Sequence, residues 1–137
     1  MIDLEASLAL CQLNRLPDML SARKNLARRY HELLEPVAGR TVAFRLPDIS
    51  RTRVWYRYAL EMTRVPASEV IEHFRVYGIQ AAQPVNDWRQ QGTPACPVAD
   101  RAYHSVVSLP LYPMLTDEEQ ERVVYALKEI CRKYGRD

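Results

Sequence analysis

The stretch Ser108-Leu-Pro-Leu-Tyr-Pro-Met-Leu-Thr-Asp-Glu-Glu-Gln-Glu-Arg-Val-Val-Tyr-Ala-Leu127 decides how this chain is read. It holds the end of a strand, a turn and the start of a helix. Val107 to Leu109 form a short apolar run, and Pro110 and Pro113 deny it further ladder donors. Thr116 and Glu119 have the spacing of a capping box, in which each side chain satisfies a free amide of the other residue. Beyond it Val123, Val124, Leu127, Ile130, Cys131 and Tyr134 recur at helical spacing and predict one buried stripe. Lys128, Arg132 and Lys133 fall near the C-terminal end, where the helix dipole favours cations.

Working outward, the pattern predicts further elements. Asp3 can cap a first helix carrying Leu4, Leu8, Leu10 and Cys11, and Pro17 should stop it or turn it sharply. A second helix is expected from about Asp18 to Leu34, with Met19, Arg23, Leu26, Tyr30 and Leu33 or Leu34 as its stripe, ended by Pro36 and Gly39. Val42 to Leu46 and Arg51 to Met62 read as strands, the latter alternating with a period of two. Pro66 opens a helix that buries Val70, Ile71 and Phe74 and closes at Gly78. Ile79 to Ala82 reads as a strand, Gln83 to Pro97 as a loop, and Val98 to Val106 as a helix. The order predicts an α+β fold, a small and mostly antiparallel sheet with helices packed on it, in a single domain over residues 1–137.

Composition narrows the function. With 137 residues, 47% of them hydrophobic and 26% charged, the chain can bury a real core. A net charge of +2 is too small to argue for nucleic acid or an anionic membrane. No apolar run approaches the roughly 18 residues of a membrane span, and the N-terminus does not read as a signal peptide. Cys11, Cys96 and Cys131 are odd in number and far apart, which points to reduced thiols and a cytoplasmic protein.

Several chemistries lack their residues. The glycines at 39, 78, 92 and 135 cannot form a phosphate-cradling loop of either glycine-rich type. His31, His73 and His104 sit on separate elements, and none pairs with another ligand at metal spacing. No nucleophile elbow is present. The basic cluster Arg23, Lys24, Arg28 and Arg29 reads as the solvated face of a helix.

Taken together, the motifs resemble those of the DegT/DnrJ/StrS family of pyridoxal-phosphate (PLP) sugar aminotransferases. Asp3 to Leu16 is similar to the family's "D-L-x-A-A-x-G-x-x-Q-L-x-R-L" helix, with Ser7 and Ala9 in place of the usual Ala and Gly. Arg23 to Leu34 is similar to its arginine-rich helix. Trp55-Tyr-Arg-Tyr58 resembles the "W-Y-K-Y" strand, and Gly78-Ile79 followed by Gln83-Pro-Val85 resembles "G-I-x-x-x-x-P-V". Cys96 to Pro113 matches the "F-P-x-A-E … L-S-L-P-L-Y-P" block. Where many members carry "P-L-H" near the substrate, this chain has Asn86-Asp-Trp-Arg89, a departure in that region.

The resemblance implies the small C-terminal domain of a fold type I PLP-dependent transferase, working on a nucleotide-linked keto sugar. It implies PLP in the full-length parent and an N-terminal PLP-binding domain as partner. The family's catalytic lysine and the acid that pairs with the pyridinium nitrogen lie upstream of the helix that starts this chain. Lys24, Lys128 and Lys133 all read as helix-surface residues, so no catalytic or cofactor-binding residue is expected here. The expected substrate-binding residues are Tyr56, Arg57, Asn86, Trp88 and Arg89. Arg57 can hold a carboxylate or diphosphate through its fork, or cover the sheet with its stem. Trp88 can stack on a base or sugar, or plug the core. The other reading of the whole chain is a stand-alone binding or assembly module descended from such a domain. In either case Leu4, Leu8 and Leu10 should not all be covered within this chain, and a homo-oligomer is expected.

Overall fold

The computed structural model describes residues 2–41, 43–50, 53–84 and 96–134. Among these residues, four helices and three strands follow in the order α1 (Asp3–Thr41), β1 (Phe44–Arg45), β2 (Tyr58–Met62), α2 (Ala67–Val76), α3 (Pro97–Ser105), β3 (Val106–Leu109) and α4 (Asp117–Tyr134). The strands form one sheet in the order β1-β2-β3, with both pairings antiparallel. The α+β class and the small antiparallel sheet are as the sequence predicts.

The register explains where the sheet stops. Tyr58 pairs with Leu109, Leu60 with Val107, and Phe44 with Met62. Among the described residues the strand expected over 51–62 is paired only from Tyr58 onward; before it the Trp55 and Tyr56 carbonyls accept from the Arg23 side chain instead of from a neighbouring strand. The strand expected at Ile79–Ala82 reduces to one bridge, in which Ala82 and Ser108 exchange both backbone hydrogen bonds at the outer edge of β3. In place of the strand expected at 42–46, only Phe44 and Arg45 are laddered.

The two helices expected on either side of Pro17 are one continuous helix of 39 residues, with Pro17 and Pro36 inside it. Pro17 removes one intrahelical donor, but it lies on an exposed stretch where water can serve the freed carbonyl. Every described residue from Ile2 to Asp18 is exposed. From Ala27 onward the same helix enters the core through Ala27, Tyr30 and Leu34.

Tyr58, Leu60 and Met62 point from β2 into a single core shared with Val70 and Phe74 of α2 and with Val123, Leu127, Ile130 and Cys131 of α4. The expected α4 stripe is buried from Val123 to Cys131, while Tyr134 at its end is half-buried against the core. Gln120 joins it, fully enclosed, with its side-chain amide donating to the Leu26 carbonyl at 3.0 Å. The capping box is made: the Thr116 amide donates to Glu119 Oε2 at 2.9 Å, and the Glu119 amide to Thr116 Oγ1 at 3.2 Å. Gly78 ends α2 at φ +68°, with Ile79 N–H bonded to Phe74 O and Gly78 N–H to Arg75 O, the two bonds of a Schellman motif.

Candidate functional site

Five residues just before β2, Arg53 to Arg57, run outside any ladder. Trp55 anchors them: it is buried and stacks on Tyr58 with ring centroids 5.8 Å apart. Tyr56 and Arg57, both expected to contact substrate, are exposed side by side, with the Arg57 guanidinium 5.2 Å from the centre of the Tyr56 ring, a cation–π distance.

Arg23 of α1 holds this segment. Its Nη1 donates to the carbonyls of Trp55 at 3.3 Å, Tyr56 at 3.0 Å and Leu111 at 3.1 Å. One guanidinium thus ties the approach to β2 to the turn after β3. Arg23 was expected on a solvated basic face. It is instead half-buried, and of that cluster Arg29 is also engaged, by Asp117 at 3.3 Å and Glu121 at 2.7 Å. A charged residue on the stripe that continues into Tyr30 was the available signal.

Arg23, Tyr56 and Arg57 form one side of a groove of about 310 Å³; Gln80 and Ala82 form the other, and Ser108 to Leu111 the floor. Two guanidinium groups and no carboxylate line it among the described residues, so the groove favours an anion. Beneath it Tyr30 donates its hydroxyl to the Pro110 carbonyl at 3.0 Å, fixing the turn. Burial raises the hydroxyl pKa of both Tyr30 and Tyr58, so both stay protonated donors. Tyr58 is fully enclosed, and its hydroxyl has no hydrogen-bond partner among the described residues.

Asn86, Trp88 and Arg89 lie outside the described residues. The lysines sit apart from the groove. Lys24 is exposed on α1 and Lys133 on α4, the latter 5.2 Å from the Tyr134 ring, and Lys128 is half-buried on α4. No group of three or more His, Cys, Asp or Glu could hold a metal among the described residues.

A small antiparallel sheet entered by a long helix, beside an arginine-lined groove with no carboxylate among the described residues, makes up an α+β fold of the kind seen in solved aminotransferases. The profile of the DegT/DnrJ/EryC1/StrS aminotransferase family matches residues 1–128, and the chain belongs to that family. It is 32% identical to the spore coat polysaccharide biosynthesis protein SpsC of Bacillus subtilis, across 96% of this chain and 37% of that protein. Its fold is similar to that of an aminotransferase from Psychrobacter cryohalolentis, with a TM-score of 0.82 at 16% identity, covering 99% of this chain and 40% of that one. It is also similar to NtdA of Bacillus subtilis, solved with bound cofactor PMP, with a TM-score of 0.72 at 23% identity over 83% of this chain and 28% of that one. The chain thus spans between 28% and 40% of the length of these relatives.

Proposed function

We propose that this chain acts as the C-terminal domain of a PLP-dependent sugar aminotransferase, forming one wall of the cleft that receives a nucleotide-linked keto sugar. The observation that carries the reading is the groove in which Arg23, Tyr56 and Arg57 meet without an opposing acid. Arg57 offers a planar fork to a carboxylate or diphosphate, and the Tyr56 ring offers a stacking face beside it. Asn86, Trp88 and Arg89 are the further substrate-binding residues of this proposal.

The residues present do not fit the cofactor itself. A PLP enzyme needs a desolvated lysine aimed at the cofactor, and Lys24 and Lys133 are exposed, while none of the three lysines lines the groove. The amino-transfer chemistry then belongs to a larger N-terminal domain, and the chain alone is inactive. The free thiols Cys11, Cys96 and Cys131 suit a reducing cytoplasm, and no described helix is long and apolar enough to cross a membrane. The exposed first half of α1 would pack on the larger domain, and without that cover it would drive self-association.

Incubation with PLP followed by borohydride tests the reading. The chain should retain no cofactor on any single lysine, and should show no turnover with glutamate and a keto sugar nucleotide. Stoichiometric labelling of Lys24, Lys128 or Lys133 would overturn it. Tight calorimetric binding of a nucleotide sugar by the chain alone would favour the stand-alone binding module.

A further inference from the structure

The opposite end of β2 carries a second groove, of about 610 Å³. Its floor includes the buried side chains of Met62 and Val65, and its rim is Arg45, Arg64, Arg101 and His104. Glu61 is its one carboxylate among the described residues, and it is held by Arg45 at 3.4 Å, a long pair between two well-exposed side chains. Arg64 and Arg101 have no carboxylate partner among the described residues. The Ser105 hydroxyl, at the same groove, is buried without a hydrogen-bond partner. A hydroxyl so enclosed is out of reach of a ligand in the groove, so the guanidinium groups carry the site.

The charges favour one ligand class. Three arginines against one glutamate leave about two positive charges around the groove. The helix α3 ends at Ser105, and its carbonyl end opposes an anion with roughly half a negative charge. The arginines outweigh that. A monocarboxylate would leave one guanidinium unmatched, whereas a phosphate group matches the charge and offers oxygens to both forks. The volume lies within the range of small-ligand pockets.

We propose that this groove is an anion site for a phosphate-bearing small molecule, either inorganic diphosphate or the phosphate end of a nucleotide. It stands apart from the Tyr56–Arg57 groove and does not depend on the role assigned there. Amide-detected NMR titration of the chain at low salt, with inorganic diphosphate and with a nucleoside diphosphate in parallel, tests it. Saturable shifts are expected at Arg64, Arg101 and Ser105. Arg64→Gln and Arg101→Gln should each weaken binding about tenfold, as loss of a charged hydrogen bond does. Arg75→Gln, which pairs with Glu72 on α2 and lines neither groove, should leave it unchanged. Tighter binding of the nucleoside diphosphate identifies a phosphate ester as the ligand, and equal binding identifies the phosphate group alone. Absence of saturation with either probe, or equal weakening by Arg75→Gln, overturns the proposal and leaves the aminotransferase reading standing.

Discussion

Arg23 shows how much one side chain can organise here. Three carbonyls converge on its Nη1, two from the segment before β2 and one from the turn after β3. Charged hydrogen bonds are worth more than neutral ones, so Arg23→Met should lower the unfolding free energy by about 1.5 kcal/mol in urea titrations. Arg23→Lys should recover part of the loss, since an ammonium can reach some but not all of the three oxygens. Cys131 makes a second residue-scale case. Burial pushes its thiol up to about 11, whereas Cys11 and Cys96 are exposed. A thiol reagent at neutral pH should therefore titrate Cys11 and Cys96 rapidly, and Cys131 only after denaturant is added. Because the folded pKa is the higher one, the stabilisation from the protonated thiol is complete below about pH 9 and is lost as the pH rises through 11. Denaturation midpoints should fall across that window, and less steeply in Cys131→Ala.

At the scale of elements, α4 was fully legible in the sequence, because cap, stripe and terminal cations agree. Thr116→Ala should cost about 1 kcal/mol by chemical denaturation, the usual loss for such a cap. Gly78 was legible for the same kind of reason: a left-handed residue closes α2 as read. The break expected at Pro17 was not, because a proline's cost depends on whether water can reach the freed carbonyl, and that is set by what surrounds the helix. Strand lengths were overestimated for a related reason. Residues 53–57 alternate well enough, but the Trp55 and Tyr56 carbonyls go to Arg23 rather than to a partner strand, a non-local fact. Of the expected site residues, Tyr56 and Arg57 do share one groove. Arg23, Gln80 and Ser108 join it only through tertiary folding, which local pattern does not encode. The first half of α1 gives an element-scale prediction. Leu4, Leu8 and Leu10 are 79%, 63% and 60% exposed, as expected from the sequence, and every described residue from Ile2 to Asp18 is exposed. Deleting residues 1–16 should change the unfolding free energy of the monomer by no more than about 0.5 kcal/mol, measured at concentrations low enough to exclude association.

The whole molecule consists of a self-contained core with one long helix entering it. Tyr30, Tyr58, Phe74, Leu60 and Leu127 are fully buried from four different elements, so the core does not depend on the exposed end of α1. The sheet beside it is small: β1 has two laddered residues with Pro47 just beyond, and the outer edge of β3 is met by a single bridge flanked by Pro84 and Pro110. Short borders interrupted by imino acids offer few free N–H groups to an incoming chain. Strand addition at the described edges is therefore disfavoured, and clustering of copies is expected to proceed through helical surfaces. Concentrated samples kept for days should stay negative for thioflavin fluorescence even where light scattering reports larger particles.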